Sequence, residues 1–132
     1  MQIDHLDHLV LTVRHMQATI DFYTRVLGMQ LVTFGQGRQA LAFGSQKINL
    51  HQYQHEFEPK AQYPTPGSAD LCFITSTPLQ EVIQHMAACE ARVIEGPVER
   101  TGATGRILSI YLRDPDSNLI EIANESTSRP PP

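Results

Sequence analysis

The sequence predicts an α+β fold: two βαβββ modules whose sheets curl towards each other as a half-open, eight-stranded barrel. Three observations predict it. A strand, an amphipathic helix and a run of alternating residues follow one another from Asp7 to His51. The same pattern restarts at Ala69 and runs to Glu121. Between the two copies Pro59, Pro64, Pro66 and Gly67 fall within ten residues, where neither helix nor strand can continue. One module alone leaves a sheet face uncovered, so two copies are expected to share a trough between them.

Taken in order, residues 3–13 alternate as a strand, with Leu9, Leu11 and Val13 on one face and His8, Val10 and Thr12 on the other. Residues 16–27 turn helical on the spacing of Ile20, Tyr23 and Leu27, and Gly28 is placed to cap that helix. Strands are expected over 30–34, 39–43 and 47–52, with glycines at the turns. In the second copy a strand covers 70–75. A helix covers 78–88 with Thr77 as N-cap and Leu79, Val82, Ile83 and Met86 as its apolar stripe. Strands near 92–94, 107–112 and 118–123 follow, separated by a Gly-rich loop from 96 to 105 and the turn Asp114-Pro115-Asp116-Ser117-Asn118. The domain reading is one domain over 1–124, with modules 4–52 and 69–124, a linker 53–68 and a disordered tail 125–132.

The balance of charge excludes some functions. With 14 acidic and 10 basic residues in 132, a net charge of −4 and no basic run, neither nucleic acid nor an anionic membrane surface is an expected partner. No apolar stretch approaches the roughly 18 residues of a membrane span. The N-terminus lacks the basic and apolar regions of a secretory signal, so a cytoplasmic location is expected. Cys72 and Cys89 match no zinc or redox spacing and are expected to be buried thiols.

The repeat also concentrates chemistry. It sets His8 opposite Asp70, and His51 opposite Glu121, because Phe43 to His51 and Arg113 to Glu121 are both eight residues. Strand alternation turns all four side chains to the trough face. Two imidazoles and one or two carboxylates suit Zn, Ni, Co, Mn or Fe as divalent ions. A histidine or glutamate on a strand is ordinarily a solvated or hydrogen-bonded residue; the repeat-related placement is what favours ligation. Asp70 has a short side chain and can serve as turn chemistry instead. Thr12, Asn49, Ser109 and Tyr111 are candidates to line the trough, and Arg100 and Arg106 to clamp an anionic group. His5, His15, His55 and His85 read as solvated.

Three stretches resemble the vicinal oxygen chelate superfamily, which includes glyoxalase I, fosfomycin-resistance enzymes, extradiol dioxygenases and bleomycin-binding proteins. They are Asp7 to Val13, the helix end Phe22-Tyr23 through Leu27-Gly28, and Asp114-Pro115-Asp116 through Leu119-Ile120-Glu121. Ile48 to His51, Glu58 to Ala61 and Pro66 to Cys72 are most similar to the branch named glyoxalase domain-containing protein 5. The resemblance implies metal ligation by His8 and Glu121, a small-molecule substrate chelated through vicinal oxygens, and a homodimer. It sets His51 where glyoxalase I has a carboxylate and Asp70 where that enzyme has a histidine. The function expected is a metal-dependent lyase or isomerase, with Glu121 or Asp70 as general base. An Fe(II) dioxygenase of the extradiol type, or a binding protein that sequesters a drug, is the alternative.

Overall fold

The alternating segments form two separate four-stranded sheets, and a computed structural model of the chain describes residues 1–126. The first sheet contains β1 (His8–Val13), β2 (Gln30–Phe34), β3 (Arg38–Phe43) and β4 (Gln46–Gln52), in spatial order β1-β4-β3-β2. The second contains β5 (Asp70–Ile74), β6 (Glu95–Thr101), β7 (Arg106–Arg113) and β8 (Leu119–Glu125), in order β5-β8-β7-β6. In each, the first and last strands pair in parallel and the other pairs are antiparallel. A helical segment crosses over between the parallel pair: α1 (Met16–Asp21) in the first copy and α2 (Leu79–Ala88) in the second. Each copy is thus βαβββ, and the chain divides into two compact units at Ala69/Asp70.

The apolar positions of the strands form the two cores. In the first unit Leu11, Val13, Leu41, Ile48 and Leu50 are buried, as are Ile20, Tyr23 and Val26 of the helical segment. In the second, Ile110, Leu112, Ile120 and Ile122 are buried, with Leu79, Val82 and Met86 from α2. Burial of one such side chain contributes about 1.5–3 kcal/mol.

Several boundaries differ from the sequence reading, each for a physical reason. β1 starts at His8, not residue 3, because its partner β4 starts only at Gln46; the Gln46 side chain donates to the Leu6 carbonyl at 2.8 Å. After α1 the first helix widens into a π-helical turn over Phe22–Val26, where the Thr24 hydroxyl donates back to the Ile20 carbonyl at 2.7 Å. The Gly-rich stretch expected as a loop is largely the edge strand β6, which has a register shift between Glu95 and Val98. An edge tolerates Pro97, and at Gly96 any Cβ would collide with the Ser109 carbonyl and the Ile110 Cα. Thr77 does not cap α2. Its N-cap is Pro78, and the Leu79 N–H is taken by the Asn124 side chain of β8 at 2.7 Å. Glu125 accordingly belongs to β8 rather than to a tail, while residues 127–132 lie outside the described residues. Cys72 is exposed, not buried, and Cys89 is intermediate.

Candidate metal centre and cleft

Strand pairing defines which side chains share the polar face of the first unit. Across the sheet, His8 registers with Lys47 and then Ala42, and Val10 with Asn49 and then Ala40. Thr12 registers with His51, whose ring meets Arg38, the partner of Phe34. His8 is half exposed, and its Nδ1 lies 2.7 Å from Asp7 Oδ2. That hydrogen bond holds the Asp7 carboxyl below its ordinary value, so it stays an acceptor and Nδ1 carries the proton. The lone pair is then left on Nε2, as a metal-binding histidine requires.

His51 is arranged differently. It is 2% exposed, and its Nε2 lies 3.3 Å from Arg38 Nη2. Guanidinium only donates, so Nε2 is the acceptor and its lone pair is occupied. Phe57, from the segment after β4, packs edge-on against the ring at 5.6 Å between centroids. Burial, then the Arg38 charge, hold the imidazole below its ordinary value, while Glu56 acts in the opposite direction. In register His51 lies four residues along from the partner of His8, roughly 13 Å at strand rise. His8 and His51 thus share one face, two rows apart in the sheet. The residue two positions from Lys47 is Asn49, 6% exposed, and its Oδ1 is buried without a hydrogen-bond partner.

The second unit repeats this geometry. Asp70 registers with Leu119, and Glu121 lies two positions further on, as Asn49 does from Lys47. The strand register thus equates Asn49, not His51, with Glu121. Equal counts misled because the hairpins differ: only Gly44 and Ser45 join β3 to β4, whereas residues 114–118 join β7 to β8. That longer turn is held by Asp114, whose Oδ1 accepts the Asp116 and Asn118 N–H groups at 2.9 Å each.

Glu121 registers with Cys72 on one side and Tyr111 on the other, and its Oε2 accepts the Ser109 hydroxyl at 2.5 Å. Tyr111 Oη accepts from Arg100 Nε at 3.0 Å, and Arg100 Nη2 donates to Glu95 at 2.7 Å. A cleft of about 430 Å³ opens here, lined by Cys72, Ile74, Arg100, Ile107, Tyr111 and Glu121 among others. Partial desolvation against the cleft wall, then Glu121 and Asp70, push the Cys72 thiol up to about 11 although the residue as a whole is exposed. Burial also raises the Tyr111 phenol, against the Arg100 hydrogen bond that lowers it. Arg106 does not reach this cleft face: it starts β7 one position out of phase with Ile107, Ser109 and Tyr111. Arg100 is the arginine of the cleft. Among the described residues no three His, Cys, Asp or Glu side chains converge as a ready metal cluster. No helix among them is long and apolar enough to cross a membrane.

Arg38 and Phe57 were absent from the expected site. Arg38 follows a Gly-rich turn and Phe57 lies in the expected linker; their signal was the cation–aromatic chemistry itself.

Two βαβββ units with polar strand faces define the glyoxalase-like fold class. The chain belongs to the Glyoxalase/Bleomycin resistance protein/Dioxygenase superfamily, whose family profile matches residues 5–122. It is 64% identical to Virulence protein STM3117 of Salmonella typhimurium over 93% of this chain and 85% of that protein. The crystal structure of that protein superposes with a TM-score of 0.94 at 63% identity, covering 96% of this chain and all of that one. Glyoxalase domain-containing protein RDO1 of Mycosarcoma maydis is 59% identical over 94% of this chain and 70% of that protein. A lactoylglutathione lyase from Agrobacterium tumefaciens shares the fold, with a TM-score of 0.70 at 23% identity over 92% and 94% of the two chains.

Proposed function

We propose that the protein is a divalent-metal-dependent lyase or isomerase acting on a small substrate that presents two adjacent oxygens. Membership of the superfamily supports the class. The observation that carries the reading for this chain is the unpartnered, buried Oδ1 of Asn49 on the same sheet face as an oriented His8. An orphaned acceptor of this kind is costly unless a cation or donor completes it.

The donor chemistry of these residues suits a divalent metal. Within the first unit His8 Nε2 and Asn49 Oδ1 would be the donors, and within the second Glu121 and Asp70. Donors that are mostly oxygen favour Mn²⁺ or Fe²⁺ within the range Zn, Ni, Co, Mn and Fe. When bound, such an ion supplies Lewis-acid stabilisation of negative charge on two adjacent substrate oxygens. Asp7 fixes the tautomer of His8. Ser109 steadies Glu121 by its hydrogen bond, and Glu121, facing the cleft, is the group placed to take a proton from a substrate carbon. Tyr111 and Arg100 are polar lining of the cleft, and Ile74 and Ile107 apolar lining. A homodimer and a cytoplasmic location belong to the same reading.

Metal content tests it. Protein purified without chelators is expected to contain, or take up on titration, a stoichiometric divalent ion, and the His8→Ala and Glu121→Gln variants to lose it. Absence of uptake by wild-type protein with every first-row ion would refute the proposal. Hemithioacetal conversion by the loaded protein then separates a glyoxalase from an isomerase acting on another substrate.

A further inference from the structure

The first unit carries two cations that converge on one aromatic ring. Lys47 Nζ lies 3.7 Å from the Phe34 centroid, and Arg38 Cζ lies 5.2 Å from it. Phe57 takes the Arg38 guanidinium at 4.8 Å. The small residues Ala40 and Ala42 between them on β3 let both long side chains lean over the same polar face. Among the described residues neither cation forms an ion pair. The acidic groups that face this region are Asp7, which feels the Lys47 charge, and Glu56, which acts on His51 and is paired with Lys60 at 3.9 Å.

Two cations drawn to one ring repel each other, and a face-on aromatic offsets that only in part. In a chain of net charge −4, carboxylates to neutralise them are plentiful, yet none is placed there. Arg38 spends one N–H on His51 Nε2, which leaves further guanidinium donors for a ligand. The buried imidazole thereby orients the guanidinium, and Phe34 and Phe57 hold its plane. What is missing from this arrangement is an anion.

We propose that Arg38 and Lys47 form a binding site for the anionic group of the substrate, a carboxylate or a phosphonate. Lys47 registers with His8, so the anion is bound one strand away from the candidate metal ligand. As a statement of substrate class this rests on the metal-dependent reading above. As a statement about anion binding it is measured without metal.

The test is an NMR titration of the metal-free full chain with phenylphosphonate, benzoate and uncharged benzamide at constant ionic strength. Saturable shifts centred on Phe34, Arg38, Lys47 and Asn49 are expected with an anion and not with benzamide. The tighter of the two anions identifies the group. Arg38→Gln and Lys47→Gln should each weaken binding about tenfold, the scale of a charge-assisted contact. Arg38→Lys, which keeps the charge and serves if Arg38→Gln melts early, should retain part of it. Equal binding of benzamide, shifts confined to other residues, or unaltered affinity in both Lys47→Gln and Arg38→Lys would overturn the proposal. Metal uptake measured on the same samples keeps the two readings apart. Anion binding lost with uptake intact overturns this site alone; uptake lost with anion binding intact overturns the metal reading alone.

Discussion

Replacing Asp7 by Asn isolates the orientation of His8 from its ligation. The 2.7 Å contact between Asp7 Oδ2 and His8 Nδ1 fixes the proton on Nδ1 and raises the basicity of Nε2. An amide keeps the size of the side chain but accepts more weakly, and it can flip to offer a donor. Loss of such a carboxylate behind a metal-binding histidine costs about 10- to 100-fold in metal affinity. Here the side chains are 44% and 79% exposed, so solvent screens the pair and the low end, about tenfold, is expected. Chelator competition with Mn²⁺ at about 0.15 M salt, a Debye length of about 8 Å, measures it. His8→Ala should lose far more than Asp7→Asn, and His51→Gln should stay close to wild type. Loss of affinity in His51→Gln to match His8→Ala, or unaltered affinity in Asp7→Asn, would refute the assignment of Nε2 of His8 as the ligand.

Three further outcomes follow from the same geometry. Burial and the Arg38 charge depress the His51 pKa below 6.5, so its contribution to stability is complete above that value and is lost as pH falls through the folded one. Acid unfolding curves should therefore steepen below pH 6.5 in wild type and flatten in His51→Gln; matching slopes would contradict a neutral buried imidazole. With a pKa of about 11 against an ordinary 9.0, Cys72 should react with iodoacetamide near pH 8 about 100-fold more slowly than a simple thiol. Glu121→Gln should speed that reaction, as mass spectrometry of the labelled peptide would record. Asn124→Ala removes the acceptor of the Leu79 N–H and two donations, to Thr75 and Thr77 carbonyls at 2.9 and 2.8 Å. A loss of roughly 2–3 kcal/mol is expected, and urea denaturation gives it directly; a loss below about 0.5 kcal/mol, the scale of an ordinary surface substitution, would show that water replaces those bonds.

Alternation in the chain states which face a strand residue takes, and little about which residue stands beside it. That is why the two modules, their shared βαβββ order and the polar faces of His8, Asp70 and Glu121 were readable from period alone. Register is set elsewhere, by hairpin length and by where a partner strand begins. The two-residue turn at Gly44-Ser45 and the five-residue turn anchored by Asp114 make equal residue counts land on unequal registers. His51 and Asn49 share a face, so no parity argument separates them; only strand pairing does. Composition misled where it stood in for topology. Gly96 and Pro97 suggest a loop, but an edge strand leaves room for a missing N–H and for the close approach of the Ser109 carbonyl. Asn124, at the end of the expected second module, caps a helix that starts 45 residues upstream, which no local pattern announces.

The exchange of Asn49 for His51 alters the chemistry as well as the geometry. An imidazole at the position equivalent to Glu121 would make a nitrogen-rich set suited to Zn²⁺ or Ni²⁺, whereas an amide oxygen shifts the set towards harder ions. It also frees His51 for another task, since its Nε2 lone pair already orients Arg38. A cation coordinated through the same Nε2 would have to displace the Arg38 guanidinium, whose Nη2 lies 3.3 Å from it. The doubled sequence therefore serves two purposes on one sheet face. On the proposed reading His8 and Asn49 would supply donors for a cation, and on the same face Lys47 and the His51-oriented Arg38 would attract an anion. A substrate that is itself anionic and oxygen-chelating is what the two proposals together predict.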